Sequence, residues 1–155
     1  MSSFFSVDAI LSEEERVPCV FLTDAIGLGY LDPSTADADL GKDCRLDLPL
    51  WLAKDLAERN FVAVDLPKNF GGRVRENLLA DPTAVRLREK SPAFYELGLT
   101  LSEMVGHEDA ATLPTSTRVT LATRMASLLD NSLNSLNEDV STYTNSLTDL
   151  EQQLF

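Results

Sequence analysis

Leu46-Asp47-Leu48-Pro49-Leu50-Trp51-Leu52-Ala53-Lys54 is echoed further along the chain by Val64-Asp65-Leu66-Pro67-Lys68-Asn69-Phe70. Each copy leads a β-suited stretch into Asp-Leu-Pro, and proline, with its φ fixed and no N–H to lose, fits the first position of a helix. Each Asp-Leu-Pro therefore reads as a strand-to-helix junction. Between the two, Leu50, Trp51, Leu52, Ala53, Leu56 and Ala57 predict a short amphipathic helix with Trp51 on its buried side. None of these side chains is chemically reactive, so the unit points to a protein that holds other proteins.

Working outward, Ser6 is placed to cap a helix that starts at Val7, with Asp8 at its positive end. Val17 to Leu22 is β-suited, and Pro18 assigns it to a sheet edge or delays its start. A polar loop punctuated by Gly27-Leu28-Gly29 and Asp32-Pro33-Ser34 follows, and Lys42 to Leu48 returns to strand. Beyond Pro67 the pattern turns helical. Val74, Leu78 and Leu79 suit one face until Asp81-Pro82 interrupts, and Gly71-Gly72 falls inside that pattern as a kink or packing contact. Ser91-Pro92 opens a helix through Phe94, Leu97, Leu101 and Val105. Gly98 inside it costs about 1 kcal/mol against alanine, which predicts close approach of a neighbouring backbone. Residues 107–114 read as a loop. The expected fold is α+β: a small β-rich domain over residues 1–66, then a mainly helical domain over 67–155, with Trp51 and Phe94 as core anchors.

The second strong pattern lies near the end. Val119, Ala122, Ala126, Leu129, Leu133, Leu136, Val140, Tyr143, Leu147, Leu150 and Leu154 recur at spacings of three and four, the seam of helices packed side by side. Asn131, Ser132 and Asn134 are weak helix formers, and Ser135 with Glu138 fits a capping box, so a break is expected near residues 131–138. The stripe offers more apolar surface than the other helices can cover, which makes Leu129, Leu133, Leu136, Val140, Tyr143, Leu147, Leu150 and Leu154 the candidate subunit interface.

The two Asp-Leu-Pro blocks, Pro49-Leu50-Trp51-Leu52-Ala53, Ala80-Asp81-Pro82, Ser91-Pro92-Ala93-Phe94-Tyr95-Glu96-Leu97-Gly98 and Asn137-Glu138-Asp139 occur together and in order. In this the chain resembles the third Psf-type subunit of the GINS complex, from about Val7 to Phe155. The resemblance implies a non-catalytic nuclear protein that assembles with the Sld-five, Psf-one and Psf-two subunits. It implies too that the tetramer joins the Mcm ring and its Cdc partner in the replicative DNA helicase, touching DNA only indirectly. Many members carry a further basic C-terminal extension, where this sequence stops at Phe155. In that family the helical domains make the tetramer core, which suits the stripe.

The formal charge of −12 opposes general nucleic-acid binding, since phosphate contacts draw on Lys and Arg. Residues 1–67 sum to −8, residues 68–90 to +3 and residues 91–155 to −7. Within the basic stretch, Arg73, Arg75, Arg86 and Arg88 are the candidate docking surface for an acidic partner; ordinary solvated charge is the competing reading. No run approaches the roughly 20 apolar residues of a membrane span. Cys19 and Cys44 form no metal-binding or redox spacing and read as free thiols. His107, the only histidine, lacks the neighbours of a general base, and no phosphate loop, nucleophile elbow or zinc motif is present. No cofactor or metal is expected. A generic helical adaptor outside replication would share the stripe, but has no reason to carry the Asp-Leu-Pro pair with the Phe-Tyr-Glu-Leu-Gly block.

Overall fold

In a computed structural model, which describes residues 7–34, 36–134 and 140–155, the β-suited runs become three strands. These are β1 (Arg16–Phe21), β2 (Arg45–Pro49) and β3 (Val62–Val64), paired antiparallel in the order β2-β1-β3. Alternation along β1 sends Val17, Cys19 and Phe21 into the core. Leu40, Leu48, Leu50, Ala53, Val62 and Val64 complete that core.

Pro18 thus sits in the central strand and not at an edge. Val17, Cys19 and Phe21 face β2 with their backbone groups, and Phe21 exchanges bonds with Cys44 and Asp43 on that side. Pro18 faces the β3 side beyond Val64, where its carbonyl accepts from the Asp65 N–H at 2.9 Å. The missing proline N–H therefore leaves unmade only the reciprocal bond at the end of the β1–β3 pairing.

The first Asp-Leu-Pro makes the expected junction, displaced by one residue: Pro49 is the N-cap of α2 (Leu50–Glu58), in an extended conformation. The helix turns Leu50 and Ala53 inward, while Trp51 is 47% exposed. Trp51 is therefore not a core anchor. Its helical neighbours three, four and seven residues on are Lys54, Asp55 and Glu58, the solvent side of α2. The helix closes through Asn60 at φ 58, with Asn60 N–H donating to Ala57 O and Phe61 N–H to Leu56 O, both at 2.9 Å. That pairing is a Schellman ending, with asparagine in the left-handed position glycine more often fills. Before the sheet, α1 (Val7–Glu13) has no buried residue; the proposed cap, Ser6, lies outside the described residues.

The second Asp-Leu-Pro is followed by a 3-10 turn, Lys68–Phe70, and only then by α3 (Gly72–Ala80). Gly71 is the N-cap, so the glycine pair opens this helix where the sequence suggested an interior kink. Leu78 is buried and Leu79 70% exposed. After a turn, α4 (Leu87–Lys90) leads to α5 (Phe94–Met104), α6 (His107–Asn134), α7 (Ser141–Thr144) and α8 (Asp149–Leu154). Residues 107–114 are helical, not a loop. Pro114 lies inside α6, where it removes one rung of the ladder without ending the helix. Residues 131–134 continue the same helix, and the expected capping box at Ser135 and Glu138 lies outside the described residues.

The chain divides into two compact units, Met1–Pro67 with Met104–Gly106, and Lys68–Glu103 with His107–Phe155. The fold is α+β, with the sheet in the first unit and the second helical. In the helical unit Phe94 is 2% exposed and stacks on Phe70 at 4.6 Å between centroids. At Gly98 a methyl group would stand 3.0 Å from Phe70 Cε1 and 3.1 Å from Thr117 Oγ1. Side chains, not a backbone, make the close approach.

Two substitutions check this packing by denaturant unfolding. Gly98→Ala gains about 1 kcal/mol of helix propensity but must displace Phe70 or Thr117 at about 1–3 kcal/mol, so a net loss of about 1 kcal/mol is expected. Trp51→Ala should cost about 1 kcal/mol, well short of the 3–5 of a buried aromatic; a loss in that upper range would put Trp51 back in the core.

Candidate protein-interaction site

Helix α6 presents two opposed faces, and the difference between them defines the candidate site. At about 3.6 residues per turn, Leu113, Thr117, Thr120, Arg124 and Leu128 fall on one side, and all five are buried. Val119, Ala122, Ala126, Leu129 and Leu133 fall on the other. There Val119 is 50%, Leu129 54% and Leu133 72% exposed, and both alanines are exposed. The more apolar face of the helix is turned away from its own core.

Arg124 explains this orientation. Its Nε and Nη2 reach the two carboxylate oxygens of Glu151 on α8, at 2.5 and 3.1 Å. Its Nη1 donates to the carbonyls of Pro82 and Val85, at 2.9 and 3.1 Å. Glu151 is fully buried, and it also accepts from the Tyr95 hydroxyl at 2.6 Å and the Thr148 N–H at 3.0 Å. Thr148 and Glu151 close a capping box that starts α8. Burial pushes the Glu151 carboxyl up, but the Arg124 guanidinium, the Tyr95 hydroxyl and the Thr148 N–H outweigh it and hold the group below the usual range. Tyr95 is driven well above the ordinary phenol value by burial and by the same carboxylate.

The C-terminal part of the predicted seam is divided. Leu147 is 1% exposed and packs within its own chain, so it is not available to a subunit contact. Val140, Tyr143 and Leu150 are half-buried, and the Tyr143 ring meets Phe155 at 5.6 Å. Leu154 is 49% exposed. Leu136 lies outside the described residues. The spacing alone could not separate these, because α6, α7 and α8 are distinct helices whose phases do not continue one another.

Three of the four arginines expected at a docking surface already have acidic partners within the chain. Arg75 pairs with Asp109 at 2.7 Å, Arg86 with Glu89 at 3.0 Å and Arg88 with Asp149 at 3.0 Å. Arg88 also donates to the Leu147 carbonyl at 2.9 Å, so it clamps α4 to the start of α8. Arg73 is exposed. Arg75 and Arg88 thus tie helices of the unit together, while the Arg86–Glu89 pair lies exposed on the surface.

Residues 5–58 match the model of the PSF3 N-terminal domain, and residues 70–155 that of the GINS complex protein helical bundle domain. The chain belongs to the PSF3 family of GINS proteins. A Phaeosphaeria nodorum relative, "DNA replication complex GINS protein PSF3", is 34% identical over 161 residues, covering 100% of this chain and 89% of its own. The Homo sapiens relative of that name is 34% identical over 160 residues, 99% of this chain and 74% of its own. A Dictyostelium discoideum relative, "Probable DNA replication complex GINS protein PSF3", is 33% identical over 153 residues; the chain spans 99% of its own length but 56% of that relative. The helical bundle match contains both faces of α6. No helix among the described residues is long and apolar enough to cross a membrane.

The PSF3-family helical unit should depend on its buried ion pair in a pH-dependent way. The Glu151 contribution is full above the ordinary glutamate value of about 4.3 and is lost as pH falls through its lowered folded value. Glu151→Gln should cost about 3–5 kcal/mol by leaving Arg124 buried without its counter-charge, and should flatten the acid limb of a stability-against-pH curve. An unchanged acid limb would show that Glu151 is solvated in the native state.

Proposed function

We propose that the chain is a non-catalytic subunit of a GINS heterotetramer, assembled in the nucleus with the Sld-five, Psf-one and Psf-two subunits. The tetramer joins the Mcm ring and its Cdc partner in the replicative DNA helicase, for initiation and fork progression. ATP hydrolysis and strand separation belong to the ring. The observation that carries this reading is the outward face of α6, where Val119, Leu129 and Leu133 lie exposed opposite the chain's own core. An apolar helical face of this kind gains most from another helix laid along it, since each apolar square ångström removed from water contributes about 25 cal/mol. The relatives' names place them in a DNA replication complex.

The Val119 to Leu133 face replaces the longer 119–154 stripe as the proposed subunit seam. The formal charge of −12 favours contacts with proteins over direct contacts with phosphates.

Leu129→Asp with Leu133→Asp should abolish co-purification of the four subunits, because each would place a charge in an apolar interface at a cost of several kcal/mol. The helical content of the chain should be unchanged, both positions being exposed. Leu147→Asp should instead unfold the helical unit. Full recovery of the tetramer with the Leu129/Leu133 pair replaced would exclude this face as the seam.

A further inference from the structure

Between β1 and β2, the described residues of 22–43 carry no strand, yet their backbone is closely tied. Ala25 and Leu40 exchange N–H···O bonds at 2.8 and 2.9 Å, and Gly29 N–H donates to Ala38 O at 3.0 Å. The Asp39 carboxylate accepts from Gly27 N–H at 2.6 Å, and the Asp24 carboxylate from Lys42 N–H at 2.7 Å. The two arms approach so closely that a methyl group at Gly29 would stand 1.9 Å from the Asp37 carbonyl oxygen. Leu40, 2% exposed, anchors the loop to the sheet core.

On this frame Ile26 is 86% and Tyr30 77% exposed. Asp24, Asp37, Asp39 and Asp43 are exposed with them, and the segment holds five aspartates against Lys42 alone. A loop held from both arms loses little freedom when a partner covers its apolar side chains, so more of the contact energy remains for binding. Its aspartates steer a positively charged surface and repel an acidic one.

We propose that Ile26 and Tyr30, framed by these aspartates, are a docking surface for a basic, apolar-pocketed face of a protein that joins the GINS tetramer from outside. This rests on the assembly reading above and names the chemistry of its external contact. A mainly apolar helical face suits permanent association with sister subunits. A charged loop with two anchors suits a steered, salt-sensitive contact. The arginines of residues 73–88 do not compete for the role, since three of them are paired internally.

The test uses the full tetramer reconstituted with the Mcm ring and its Cdc partner, with the photocrosslinker p-benzoylphenylalanine in place of Tyr30. The expected product joins Tyr30's position to a Lys- and Arg-rich peptide of a protein outside the tetramer. Its yield should fall at least about fivefold when salt is raised from about 0.1 to 0.5 M, as screening shortens the reach of the aspartates. Ile26→Asp should lower the yield as strongly while leaving tetramer recovery and thermal unfolding unchanged. A crosslink confined to the sister subunits, one to an acidic or neutral peptide, or none would overturn the proposal while the tetramer stands. Failure of the tetramer itself to assemble would overturn the assembly reading.

Discussion

The buried pair between Arg124 and Glu151 is the constraint on which the helical unit depends. An ion pair removed from water is costly unless every donor and acceptor is matched, and here the match is close to complete. The guanidinium is divided between a carboxylate on α8 and two carbonyls of the turn before α4, while the carboxylate also takes the Tyr95 hydroxyl and the Thr148 N–H. Four segments distant in sequence are thereby held to one arrangement. Rotation of α6 about its axis would strand a buried charge, so the helix has one permitted phase. Thr117 and Thr120, also buried, make that inner face a mixed one beside Leu113 and Leu128, and Val119, Leu129 and Leu133 are left on the outside.

Under the proposed assembly, this inversion links folding to partner binding. A helix that buried Val119, Leu129 and Leu133 at home would have nothing to offer a partner; one that buries Arg124 keeps an apolar face in reserve. The flanking ion pairs serve the same closure: Arg88 to Asp149 joins α4 to α8, and Arg75 to Asp109 joins α3 to α6. Two of the positive charges of the basic segment, Arg75 and Arg88, are thereby answered within the unit.

The N-terminal unit is built on different terms. Its three strands and α2 enclose a small apolar core, with Pro18 accommodated at the end of the β1–β3 pairing, where its carbonyl accepts from Asp65 N–H. Around that core the unit displays acid and isolated large apolar groups, including Trp51, Ile26 and Tyr30. Membership of the PSF3 family joins these two units in one chain.

Much of this was legible in the residues themselves. The β-suited runs and the first Asp-Leu-Pro junction are local signals, set by backbone dihedral preferences and side-chain period, whereas the second Asp-Leu-Pro leads into a 3-10 turn and the helix expected from Ser91-Pro92 starts only at Phe94. Also legible was the apolar stripe on α6, and the Thr148-Asp149-Leu150-Glu151 capping box could have been read in the same way. What no local rule could decide was which apolar face would be covered. Trp51 is apolar enough for a core, but the companions on its side of α2 are Lys54, Asp55 and Glu58; Leu147 continues the spacing but lies between α7 and α8, outside any helix. The pairing of Arg124 with Glu151, 27 residues apart, exists only once α6 and α8 meet. Sequence by itself determined the elements and their family; tertiary structure decided their rotation, because burying a charge depends on partners that distant segments bring together.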